Sequence, residues 1–80
     1  MTISKANRNF RGEIFTDNPK LYTRIIEESG FVKQTFRGNV VIRYILDYGG
    51  KPLDVRILSN RIVILSPSER AVREFGQLLQ

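Results

Sequence analysis

Three runs decide the fold: Asn39-Val-Val-Ile-Arg-Tyr-Ile-Leu46, Leu53-Asp-Val-Arg-Ile-Leu58 and Arg61-Ile-Val-Ile-Leu65. Each is dense in β-branched and aromatic residues and bounded by turn chemistry, the pattern of a strand. Ser59-Asn60 fits a two-residue hairpin loop, because Asn tolerates the positive φ that such loops require. That loop pairs Leu58 with Arg61, Ile57 with Ile62, Arg56 with Val63 and Val55 with Ile64. Asp47 to Pro52, containing Gly49-Gly50, closes the preceding hairpin and sets Leu46 opposite Leu53, Tyr44 opposite Val55, Arg43 opposite Arg56 and Ile42 opposite Ile57. A three-residue loop at Arg37-Gly38-Asn39 places Phe36 opposite Val40 and Lys33 opposite Arg43. The whole of Phe31 to Leu65 then reads as an antiparallel meander.

Side chains alternate across a strand, so this register sorts the meander into two faces. One collects Val32, Phe36, Val40, Ile42, Tyr44, Leu46, Leu53, Val55, Ile57, Ile62 and Ile64 and is the expected core face. Two helices are expected on it. The first, residues 18–29, opens at Asn18 as N-cap with Pro19 in the first helical position and closes at Gly30. Its apolar stripe is Leu21, Tyr22, Ile25, Ile26 and Ser29. The second, residues 67–79, follows Ser66-Pro67-Ser68-Glu69, read as a capping box, and buries Ala71, Val72, Phe75, Leu78 and Leu79. Gly76 inside it costs about 1 kcal/mol relative to Ala unless something packs close there. Glu69 and Arg73 make a favourable i,i+4 pair.

The expected fold is therefore α+β: a two-layer sandwich of two helices on an antiparallel sheet of three to five strands. Asn9 to Thr16, with Phe10, Ile14 and Phe15, is the strand that sets the upper count. Gly12 inside it marks a bulge or bend. Residues 1–8 are polar and basic and read as a flexible arm, leaving residues 9–80 as one domain. The order of a helix ending in Glu28-Ser-Gly-Phe31, a meander and a final helix is loosely similar to small double-stranded-RNA-binding-like modules, HicA-type toxins among them. The catalytic His of such toxins has no counterpart here.

The other sheet face is where a partner is expected. It carries Phe31, Lys33, Val41, Arg43, Ile45, Asp54, Arg56, Leu58, Arg61, Val63 and Leu65. Lys33, Arg43 and Arg56 fall in a row across three strands. Like charges placed directly opposite one another are unfavourable, so the row implies a nearby carboxylate, an external anion or a different register, and Asp54 sits diagonally to Arg43. The chain carries a net charge of +5. The excess lies in the arm (Lys5, Arg8, Arg11) and in the meander, whose six basic residues face only Asp47 and Asp54. Basic side chains on a sheet beside a basic arm make a phosphate-backbone footprint. The expected anion or nucleic-acid contacts are Lys33, Arg43, Arg56 and Arg61, with Lys5, Arg8 and Arg11. Only Phe31, with Tyr48 in the adjacent loop, offers an aromatic for base stacking. The alternative is a protein-binding adaptor, regulator or inhibitor, or a homodimer, using Val41, Ile45, Leu58, Val63 and Leu65 as an apolar patch rimmed by arginine.

Composition narrows the chemistry. The chain has no His and no Cys, which removes triad catalysis, the usual general base near neutral pH, disulfides and nearly all zinc ligation. Gly49-Gly50-Lys51 lacks the spacing and the following Ser or Thr of a phosphate-binding P-loop. Asp47 and Asp54 are too few for a cation cage. An enzyme built from Arg43, Arg56, Tyr48 and Asp54 is the third option. The expectation is a non-enzymatic module without metal or cofactor. No apolar run approaches the length of a membrane span and no signal-like segment is seen, so a cytoplasmic location without membrane contact is expected.

Overall fold

The structure, a computed structural model, describes residues 1–34 and 42–80, with residues 32–34 as backbone alone. The expected loop at Arg37-Gly38-Asn39, the Phe36–Val40 pair and Val41 lie outside the described residues. The fold is α+β. Among the described residues, six strands form one antiparallel sheet: β1 (Thr2–Ala6), β2 (Asn9–Phe15), β3 (Val32–Gln34), β4 (Ile42–Tyr48), β5 (Lys51–Ile57) and β6 (Arg61–Ser66). Their order across the sheet is β1-β2-β6-β5-β4-β3. The chain leaves β2, crosses to the far edge through the helix α1 (Thr23–Glu28), and winds back strand by strand until β6 lies against β2. The helix α2 (Glu69–Leu79) then folds over the sheet.

The two central hairpins take the expected register. Arg43 faces Arg56, Tyr44 faces Val55 and Leu46 faces Leu53; Ile57 faces Ile62 and Arg56 faces Val63. The Leu58 N–H donates to the Arg61 carbonyl at 2.9 Å and closes the two-residue loop. Alternation from these registers puts Tyr44, Leu53, Val55, Ile57, Ile62 and Ile64 on one face, each at most 1 % exposed. Ile14 of β2, Ile26 of α1, and Ala71, Val72, Phe75 and Leu79 of α2 join them in a single core. Both helices therefore cover the same sheet face.

Several expectations are corrected. Residues 1–8 are not a free arm: they contain β1, paired with β2 from Thr2–Glu13 to Ala6–Asn9. The connecting turn places Asn7 at φ 57°, a conformation Asn adopts more readily than most residues. Ile3 packs against the core and ties the strand down. At the other edge, Lys33 pairs with Tyr44, and the residue opposite Arg43 is Gln34. The register of β3 is thus one residue away from that implied by a three-residue loop. Two strands precede the first helix, so the element order also departs from that of the double-stranded-RNA-binding-like modules.

Helix details differ too. Residues 19–22 form a 3-10 turn, and the Asn18 side chain makes no capping bond. A 3-10 turn advances three residues per turn rather than 3.6, which shifts the phase of the stripe. Ile26 is fully buried, whereas Leu21 is 70 % exposed. At α2 the cap is Ser68, whose hydroxyl accepts from the Ala71 N–H at 3.2 Å. Ser66 stays at the end of β6, and its hydroxyl accepts from the Ser68 N–H. Gly12 is regularly paired with Ile3 and Ile64 and is not a bulge. It and Gly76 leave room for the Met1 thioether; a Cβ at Gly12 would lie 2.7 Å from Val72 Cγ1 and 2.9 Å from Met1 Sδ. Phe31 precedes β3, so strand alternation does not govern it. It is buried, with its ring 4.9 Å from Phe75 and edge-on to Tyr44 at 6.4 Å.

Candidate anion-binding sheet face

The uncovered face is set by the same registers. Glu13, Val63, Arg56 and Arg43 occupy one row across β2, β6, β5 and β4, and Arg11, Leu65, Asp54 and Ile45 the next. Arg61 and Phe15 pair at one end. Each carboxylate is thus diagonal to arginines on its own or a neighbouring strand. That arrangement resolves the like-charge conflict seen in the sequence.

Two clusters result, each holding two guanidinium groups against one carboxylate. In the first, Arg43 donates from Nε at 2.9 Å and from Nη2 at 2.6 Å to Asp54 Oδ2, and Arg56 Nη2 reaches the same oxygen at 3.5 Å. In the second, Glu13 receives Arg11 Nε at 2.9 Å on Oε1 and Arg61 Nη1 at 3.5 Å on Oε2. All four arginines keep part of their side chains open to solvent. Asp54 Oδ1, Arg56 Nε and Arg61 Nε are buried and make no hydrogen bond. The first cluster borders a shallow concavity of about 240 Å³ lined by Arg43, Arg56, Asp54, Leu65, Asn9 and Pro67 among others.

The apolar patch looks different from its sequence outline. Val63 is 1 % exposed although it lies on the uncovered face. Glu13 and Arg56 flank it on the neighbouring strands, and long charged side chains bury apolar floors with their stems while their heads stay wet. Ile45, Leu58 and Leu65 are half-buried. Among the described residues the face thus combines arginine side chains with half-buried aliphatic ones.

The expected basic set is only partly brought together. Arg43, Arg56, Arg61 and Arg11 share the face. Lys5 pairs with Phe10 on the helix-covered side, with its ammonium 5.3 Å from the Phe10 ring. Arg8 lies exposed in the β1–β2 turn. Lys33 is outside the Arg43–Arg56 row by register. Phe15 was missed as a site residue. It is 64 % exposed, and the Arg61 guanidinium carbon sits 5.8 Å from its ring centre. Alternation from Ile14 would have turned it to this face, but only the β2–β6 pairing sets it beside Arg61.

A larger concavity, about 370 Å³, lies on the other side between the β4–β5 turn and α2. Three of its polar side chains bond one another. Tyr48 Oη donates to Glu74 Oε2 at 2.8 Å and Arg70 Nε to Glu74 Oε1 at 2.8 Å. The bond to Glu74 raises the Tyr48 hydroxyl above its ordinary pKa, and the bonds from Arg70 and then Tyr48 hold the Glu74 carboxyl low. Among the described residues, no group of three or more acidic, His or Cys side chains is placed to hold a metal. No helix among them is long and apolar enough to cross a membrane.

Neither a protein-family model, nor a curated protein, nor a solved structure matches the chain.

Proposed function

We propose that the chain is a non-enzymatic interaction module whose uncovered sheet face binds an anionic partner, nucleic acid first among such partners. One observation carries the reading: two clusters of two arginines around one carboxylate on a single sheet face, with part of each arginine side chain open to solvent. A carboxylate shared by two arginines fixes their geometry without neutralising both charges. Guanidinium forks held in this way suit phosphate oxygens, which they bind bidentately. Arg8 extends the positive surface from the β1–β2 turn. The burial of Val63 beneath charged neighbours disfavours the apolar-patch alternative of a homodimer or adaptor.

The reading is tested by anisotropy titration of labelled nucleic acid across a salt series. Replacing Arg43 and Arg56 by Ala is expected to weaken binding and lower the slope of log affinity against log salt by about two, one per lost contact. Circular dichroism confirms that the variant is folded. An unchanged affinity and slope would remove this face as the contact. Light scattering on the purified protein separates the alternative: a salt-insensitive dimer without associated nucleic acid favours a protein interface.

A further inference from the structure

The aromatic residue at the end of this face narrows the partner. Phe15 is the last residue of β2 and lies on the uncovered face, paired with Arg61 of β6. It is 64 % exposed, while Phe31 and Tyr44 are in the core and Tyr48 bonds Glu74 beside α2. An exposed Phe in a small domain gains nothing for the fold from its outer ring surface. This ring is flanked by a guanidinium at 5.8 Å, which is in turn held 3.5 Å from Glu13. From Phe15 the arginine face continues across β6 and β5 to Arg43 on β4.

We propose that the face binds single-stranded rather than duplex nucleic acid, with one base stacked on Phe15 and the adjoining backbone running over the arginines. The inference rests on the anion-binding reading above. Its physical basis is that every base has a π-face, but a paired base in a duplex presents only its edge. An aromatic ring beside a basic track therefore favours strands whose bases are free to stack. Arg61 serves both parts, as a cation against the ring and as a donor toward the backbone. Three strand spacings separate β2 from β4, roughly 14 Å, so a ligand must span more than one nucleotide to engage both ends.

The test uses a fluorescein-labelled single strand of about 15 nucleotides and the duplex of the same sequence, titrated with the unmodified chain, Phe15→Ala and Phe15→Tyr. The unmodified chain is expected to prefer the single strand. Phe15→Ala is expected to weaken that binding roughly 5- to 100-fold while leaving duplex binding and the salt slope unchanged. Phe15→Tyr keeps a stacking ring and is expected to keep the affinity. If the duplex binds as tightly as the single strand and Phe15→Ala alters neither, the stacking assignment falls while the anion surface stands. If neither form binds, the underlying reading falls and takes this one with it. A Phe15-dependent dimer without nucleic-acid affinity would overturn the assignment in favour of contact between copies.

Discussion

Arg43 and Arg56 stand directly opposite each other on β4 and β5, and a single oxygen of Asp54 joins them. Two cations at adjacent sheet positions repel, so the carboxylate is part of what allows this face to exist. Asp54→Ala is expected to lower stability by about 1–3 kcal/mol, less than for a fully buried ion pair because both arginine side chains remain partly wet. Urea denaturation measures the loss. Inorganic phosphate is expected to restore part of it by taking the carboxylate's place, and to do so better than sodium chloride at equal ionic strength. Equal effects of the two salts would mean that general screening, not anion binding, relieves the pair.

Gly12 and Gly76 face the same side chain from a strand and a helix. A Cβ at either would collide with the Met1 thioether, and at Gly12 also with Val72. In an open helix Gly76→Ala would gain about 1 kcal/mol. Here part of that gain is expected to be lost, because the Met1 thioether must swing aside. It is the far end of a flexible side chain and Met1 is 38 % exposed, so the net change is expected to stay within about 1 kcal/mol. Gly12→Ala is expected to cost more, about 1–3 kcal/mol, because its Cβ also meets the buried Val72 side chain, and adding Val72→Ala should return part of it. Urea midpoints of the two singles and the double mutant give the coupling. A Gly76→Ala gain of the full open-helix amount would show that Met1 yields without cost.

What the sequence disclosed and what it withheld follow from how local each signal is. The β4–β5 and β5–β6 registers were legible because Gly49-Gly50 and Ser59-Asn60 fix short turns. They correctly brought Arg43, Asp54 and Arg56 together. Lys33 was misplaced because its register depends on a loop whose length the residues leave ambiguous, and a one-residue slip exchanges faces. β1 was hidden because Ile3 is its one large apolar residue, and its strand character comes from pairing with β2. The pairing of Phe15 with Arg61 was invisible for a related reason: the approach of β2 to β6 is a contact between residues about fifty apart in the chain. Val63 was assigned to the correct face but not to its burial, which depends on neighbours from two other strands.

The start of α2 separates two hydroxyls that look alike in sequence. Ser68 accepts from the Ala71 N–H as N-cap, whereas Ser66 is a buried strand residue that accepts from the Ser68 N–H. Ser68→Ala is expected to cost about 1 kcal/mol, and Ser68→Asp to cost little, since Asp caps as well as Ser and adds a charge favourable to the helix dipole. Ser66→Asp is expected to be far worse, because it buries a carboxylate at the edge of the core. Thermal unfolding of the three variants checks the order. If Ser66→Asp were as well tolerated as Ser68→Asp, the cap would lie at Ser66.

Tyr44 ties the sheet to the first helix and gives the fold an alkaline limit. Its hydroxyl donates to Glu27 Oε1 at 2.9 Å. Burial first, then this bond and the carboxylate's charge, push its pKa from 10.0 up to about 12. Below pH 10 the phenol is protonated in both folded and unfolded chains, and its full contribution to stability is present. Between pH 10 and about 12 the unfolded chain releases the proton first, so stability falls as pH rises. Tyr44→Phe is expected to be less stable than the parent at neutral pH by about 1 kcal/mol, the worth of the lost bond. It should also lose less between pH 10 and 12. Some slope remains from Tyr48, whose hydroxyl is raised by its bond to Glu74. Urea unfolding at intervals from pH 9 to 12 resolves the two curves. Parallel declines in the two proteins would assign the alkaline loss to groups other than Tyr44.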